Sequence, residues 1–146
     1  MISNVAEPRT DLIANFRERI RAHFSCGADA KTPAKRFEAI SRDELKHLLE
    51  PGPLSVYIPS QYGGRGGHIS DGLSVLETAS YESLPLSLIL GINGALFLQP
   101  LGRYGDPQLC ERVYRSVLEE QAVGGLMITE PAYGSDALGM QASFEP

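Results

Sequence analysis

The chain has 146 residues, 13 Lys and Arg against 18 Asp and Glu for a net charge of −5, and 42% hydrophobic side chains. That balance fits one globular domain, or one domain plus part of a second, and it excludes a disordered chain and a core that depends on disulfide staples. With no basic excess to neutralise phosphates, it also argues against nucleic acid as a partner.

Residues 10–24 predict an amphipathic helix. Leu12, Ile13, Phe16, Ile20 and Phe24 recur at helical spacing, Arg17, Glu18, Arg19 and Arg21 take the other face, and Gly27 and Pro33 follow its end. Residues 41–50 predict a second helix. Ser41 and Glu44 have capping-box spacing, Leu45, Leu48 and Leu49 give the apolar face, and Pro51-Gly52-Pro53 stops it. From Leu54 to Gly67 the chain is expected to run as a loop, because Gly63, Gly64, Gly66 and Gly67 cannot hold a helix. A third helix fits residues 71–83, with Leu73, Leu76, Ala79 and Ser80 turned inward. A fourth, about 85–102, is apolar almost all round and is therefore expected to be central. Its stretch from Leu84 to Leu98 is interrupted by Pro85, Gly91, Asn93 and Gly94, and reads as a buried helix rather than a membrane span. Asp106-Pro107, an N-cap acceptor before a first-turn proline, opens a fifth helix with Leu109, Val113, Val117 and Leu118 as its stripe.

Beyond that helix the pattern changes. Val123 to Thr129 is a short apolar run bounded by turn formers and reads as a buried strand, and Pro131, Gly134, Ser135 and Asp136 form a loop. The expected fold class is mainly α: an N-terminal bundle of about five helices over residues 1–121, then the first strand of an incomplete β-domain over 122–146. One strand cannot make a β unit, so a fragment of a larger architecture is expected.

Most chemistry-bearing residues read as structural. Cys26 and Cys110 fit no metal spacing or disulfide framework and read as free thiols of a reducing compartment. With no apolar signal segment at the N-terminus, a cytoplasmic location is expected. His23, His47 and His68 lie in separate segments without zinc spacing, so no metal is expected. No serine sits in a hydrolase elbow. The glycine-rich run Tyr62 to Gly67 lacks the Gly-Lys-Ser/Thr of a phosphate loop and reads as a tight turn using positive φ.

The informative stretch is Leu126 to Asp136. Backbone groups at the end of a strand can face the edge of a planar heterocycle, and a Thr129 hydroxyl there can donate or accept. The Gly134-Ser135 step lets backbone approach an anion closely, with the Ser135 hydroxyl as a further donor. On chemistry alone the same residues also suit a capped turn.

Thr129-Glu130-Pro131-Ala132-Tyr133-Gly134-Ser135-Asp136 resembles the T-E-P-x-x-G-S-D signature of the acyl-CoA dehydrogenase family. The run from Pro59 to Gly66 resembles the family's P-x-x-Y-G-G-x-G loop, and Leu101 to Asp106 resembles the loop before the last helix of its N-terminal domain. The resemblance implies an N-terminal helical domain, a middle β-domain and a C-terminal helical domain, with FAD bound between the last two. It implies oxidation of an acyl-CoA or acyl-carrier thioester to the 2,3-enoyl form: a carboxylate takes the α-proton and the β-hydride passes to flavin N5. A homo-oligomer and an electron-transfer partner are implied as well. Leu126, Met127, Ile128 and Thr129 would line the flavin edge, with the Thr129 hydroxyl near N5. Gly134 and Ser135 would meet the pyrophosphate, Ser135 would also touch the thioester, and the helix around Asn93 to Phe97 would help wall the acyl pocket. Leu126 stands where the family usually has an aromatic, and Ala132-Tyr133 where small residues are common. The family's base lies in the C-terminal domain, so no residue here takes that role. The same scaffold also serves acyl-CoA oxidases and flavin monooxygenases, and a helical interaction module that kept the motif is the non-enzymatic alternative.

Overall fold

The computed structural model describes residues 9–25, 38–134, 136 and 138–143. Cys26, Gly27, Pro33 and Ser135 lie outside the described residues. Six α-helices run in chain order: α1 Arg9–Ser25, α2 Arg42–Leu49, α3 Ile69–Glu82, α4 Leu84–Gly91, α5 Gln99–Tyr104 and α6 Pro107–Glu120. Two 3-10 turns, Pro53–Tyr57 and Ser60–Tyr62, join α2 to α3, and a π-helical segment, Ile92–Leu98, joins α4 to α5.

The helix starts follow local chemistry. The Ser41 hydroxyl accepts the Glu44 amide at 3.3 Å while the Glu44 carboxylate accepts the Ser41 amide at 2.9 Å, a complete capping box. The Asp106 carboxylate accepts the amides of Gln108 and Leu109 at 2.9 and 3.3 Å, ahead of Pro107. Ser83 caps α4 in the same way, accepting the Leu86 amide at 3.3 Å.

The apolar stripe of α1 is as expected: Leu12, Phe16 and Ile20 are buried, with Ile13 and Phe24 packed at the margin. Each such side chain removed from water stabilises the fold by roughly 1.5–3 kcal/mol. Three other expectations are corrected. In α3 the inward residues are Gly72, Val75, Thr78 and Ala79, while Leu73 and Ser80 are exposed. In α6 the stripe is carried by Cys110, Tyr114 and Val117, and Leu109 is partly exposed. The run 53–58, expected as a loop, is buried throughout at the centre of the molecule.

Tyr57 explains two of these differences. Its ring lies between α3 and the π-helical segment. A Cβ at Gly72 would stand 2.6 Å from Tyr57 Cε1, and one at Gly94 only 2.4 Å from Tyr57 Cε2 and Cζ. The Tyr57 hydroxyl donates to the Gly72 carbonyl at 3.1 Å. The face of α3 that docks is therefore the one with no side chain at residue 72. The glycine-rich loop behaves as read: Gly63, Gly66 and Gly67 have φ of 86°, 104° and 73°, in the left-handed region.

The fourth predicted helix is continuous through its interruptions. From Leu84 to Tyr104 it passes from α4 through the π-helical segment into α5. Pro85 sits in the first turn, where its missing N–H costs nothing. Pro100 has no N–H for the Leu96 carbonyl and its ring would clash there. The ladder preceding it widens, with the Gln99 amide donating to the Gly94 carbonyl five residues back. Tyr114 meets the same region, its hydroxyl donating to the Leu98 carbonyl at 3.0 Å. By length and composition this helix could cross a membrane. Here it packs on α3 and on the Tyr57 turn through Leu86, Leu90, Asn93, Gly94 and Leu98. It is not buried all round: Leu84, Leu88, Ile92 and Leu96, a row at four-residue spacing, are exposed.

Candidate functional site

Residues 121–130 carry no regular secondary structure, and among the described residues there is no β-strand. The run 123–129 has no ladder neighbour to bond, which is why the expected strand is not formed. It still alternates: Leu126 and Ile128 are each 46% exposed and Met127 between them is 97% exposed.

Two hydrogen-bonded points order this segment. At its start, the Gly124 amide donates to Asn93 Oδ1 at 2.6 Å, and Asn93 Nδ2 donates to the Ile89 carbonyl at 2.8 Å. The Phe97 ring lies 2.3 Å from where a Cβ of residue 124 would be, so a side chain there would have to displace the ring. Further on, the Glu130 carboxylate closes a loop. It accepts the Gln141 amide at 3.1 Å on each oxygen and the Ala142 amide at 2.7 Å on Oε1. Charge-assisted bonds of this kind are about twice as strong as neutral ones. Inside the loop the Tyr133 amide donates to the Glu130 carbonyl at 3.1 Å, and the Gly139 amide to Asp136 Oδ1 at 3.0 Å. Tyr133 turns back into the loop, where its hydroxyl accepts from Gln141 Nε2 at 2.8 Å.

The predicted site residues fall on this frame. Leu126, Met127, Ile128 and Thr129 form one exposed run, and Gly134 is exposed on the closed loop with no atom within 4 Å of an added Cβ. Ser135 lies outside the described residues. An apolar run followed by an open glycine suits a flat aromatic ring system with an anionic tail, so the residues present fit a flavin dinucleotide. The sequence assigns no role of their own to Glu130, a letter of the signature, or to Gly124, and it places Asn93 only in the helix segment expected to wall the acyl pocket. A carboxylate at the entrance to a proline turn and a lone amide inside an apolar helix were the available signals.

The other titratable features are structural. Burial pushes the Tyr57 hydroxyl up to about 12, and burial with the nearby Cys110 and Tyr62 does the same to Tyr114. Arg19 pairs with Glu50 and hydrogen-bonds the His47 ring between α1 and α2, on the exposed surface. No cluster of metal-ligating side chains exists among the described residues.

The model of the acyl-CoA dehydrogenase N-terminal domain matches residues 10–121. Very long-chain specific acyl-CoA dehydrogenase of Rattus norvegicus mitochondria is 28% identical over 120 residues, covering 81% of this chain and 18% of that protein. Isovaleryl-CoA dehydrogenase of Pongo abelii mitochondria is 26% identical over 144 residues, covering 99% of this chain and 34% of that protein. The short-chain specific acyl-CoA dehydrogenase of Megasphaera elsdenii is 28% identical over 104 residues, covering 68% of this chain and 27% of that protein. No solved structure matches the chain significantly. The chain thus spans 18% and 34% of the first two of these relatives, and with its N-terminal helices matched over residues 10–121 it belongs to the acyl-CoA dehydrogenase family.

Proposed function

We propose that the chain is the N-terminal portion of a flavin-dependent oxidoreductase of the acyl-CoA dehydrogenase type, acting on the CH–CH group of an acyl-CoA or acyl-carrier thioester. Residues 1–121 are its helical domain and 122–146 the start of its β-domain. The observation that supports this reading is the Glu130-closed loop, which follows the exposed run Leu126 to Thr129 and carries the exposed Gly134. The run Leu126, Met127, Ile128 and Thr129 lines the flavin edge, with the Thr129 hydroxyl near N5, and the open backbone at Gly134, with Ser135, receives the pyrophosphate. Ser135 also contacts the thioester. When bound, FAD supplies the hydride acceptor. The exposed row Leu84, Leu88, Ile92 and Leu96 is the kind of apolar face that further parts of such an enzyme cover. The complete protein is a homo-oligomer that hands electrons to a protein partner.

The experiment is a fusion of this chain to the middle and C-terminal parts of one of its relatives, purified and read by flavin absorbance. The fusion is expected to retain FAD and to lose the oxidised-flavin band on addition of an acyl-CoA. A folded fusion without flavin would overturn the reading.

A further inference from the structure

Asn93 is a polar side chain only 4% exposed, in a helix whose neighbours are apolar. Burying an amide without partners costs roughly 1–3 kcal/mol, so its position needs a reason. Both ends are satisfied, and the two partners lie in different parts of the chain. Nδ2 donates to the Ile89 carbonyl one turn back, and Oδ1 accepts the Gly124 amide, 31 residues on. The π-helical segment that carries Asn93 also carries Phe97, whose ring fills the space beside Gly124. Gly124 is therefore gripped by two side chains of one segment. Its neighbours are loose: Val123 is exposed, and a Cβ on Gly125 would meet nothing within 4 Å.

We propose that Asn93 is a positioning residue that sets the register of the run 124–129. Side chains of extended backbone alternate with period two, so fixing residue 124 fixes which residues share its side. The exposures follow: Leu126 and Ile128 are each 46% exposed, and Met127 stands out at 97%. A slip of one residue would exchange Met127 for Leu126 and Ile128. The inference rests on the proposed flavin role of this run, since register decides which side chains a flat ring meets. It also joins that run to the helix expected to wall the acyl pocket, so one amide side chain ties the two together.

The test is amide hydrogen exchange by NMR on the 146-residue chain. In the wild type the Gly124 amide should exchange at least about tenfold more slowly than that of Gly125, the protection one net hydrogen bond gives. Equal rates overturn the proposal with no variant needed. In Asn93→Ala the Gly124 amide should reach the Gly125 rate, and the amide shifts of Leu126 to Thr129 should move. Leu48→Ala, a core truncation on α2, lowers stability without touching this contact, and should leave those shifts in place. If Leu48→Ala moves them as much as Asn93→Ala, the effect is general loosening and the proposal falls. The fusion protein separates the two readings. Fast Gly124 exchange refutes the register role whatever the fusion binds. Slow exchange beside a folded fusion that holds no FAD refutes the flavin reading, and with it the purpose assigned to the register.

Discussion

Gly94→Ala separates two opposed effects of a single methyl group. Gly94 is helical with ordinary negative φ, so alanine should gain up to about 1 kcal/mol of helix propensity. Against this, the new Cβ would lie 2.4 Å from two Tyr57 ring atoms and 2.7 Å from a third. The ring has little room to retreat, because it is buried and its hydroxyl is held by the Gly72 carbonyl. Overpacking of this kind costs about 1–3 kcal/mol. Displacing the ring also weakens the Tyr57 hydroxyl bond to the Gly72 carbonyl, 3.1 Å in the native fold, and such a bond is worth about 0.5–1.5 kcal/mol. The net expectation is a loss of about 2 kcal/mol, which lowers Tm by roughly 4–8 °C in a chain of this size. Urea and thermal melts followed by circular dichroism measure it. Gly125→Ala, with nothing within 4 Å of the new carbon, is the control and should stay within about 0.5 kcal/mol of wild type. Tyr57→Leu combined with Gly94→Ala should show a favourable coupling above about 0.5 kcal/mol, because the leucine makes room. A Gly94→Ala protein as stable as wild type would refute the claim that the Tyr57 ring dictates glycine at this crossing.

Glu130→Ala should free the amides of Gln141 and Ala142, raising their exchange rates tenfold or more, while the melt of the helical part shifts by less than about 0.5 kcal/mol. Tyr114→Phe removes the hydroxyl's bond to the Leu98 carbonyl and should cost about 0.5–1.5 kcal/mol in a urea melt. The two buried tyrosines predict an alkaline limit: both are held at about 12 in the folded chain against 10.0 when unfolded. Between those values the unfolded state binds fewer protons, so stability falls as pH rises, by at most ~1.4 kcal/mol per pH unit for each tyrosine. Stability should be insensitive to these groups below pH 10, and Tyr57→Phe with Tyr114→Phe should flatten the decline above it. Asp106→Ala, which removes the cap of α6, should cost about 1 kcal/mol in the same melts.

What the sequence carries locally is recovered in the fold. Ser41 with Glu44, and Asp106 with Pro107, mark helix starts because a cap needs only residues within one turn. Which face of a helix docks is set by distant partners. Leu73 is the more apolar choice on α3, yet Gly72 faces inward because the Tyr57 ring fills the space beside it. The run from Pro53 to Ile58 has the proline and glycine neighbours of a surface turn, but its 3-10 winding places Leu54, Val56, Tyr57 and Ile58 in the core. Pro85, Gly91 and Gly94 look like interruptions and are absorbed, by a first turn, by neighbouring packing and by a π-helical widening. At the candidate site the signature residues were legible as a loop. The carboxylate that closes it was not, since the bonds from Gln141 and Ala142 to Glu130 span eleven and twelve residues with no periodicity to announce them.

The central claim is that Leu126 to Thr129 and Gly134 meet the flavin. Its most direct test is the flavin content of the fusion protein carrying Gly134→Leu, beside the same fusion with Gly125→Ala. Both glycines are exposed, and an added Cβ meets no atom within 4 Å at either. Gly134→Leu should lose most of its bound FAD while Gly125→Ala keeps it. Equal flavin content in the two, at equal thermal stability, would contradict it.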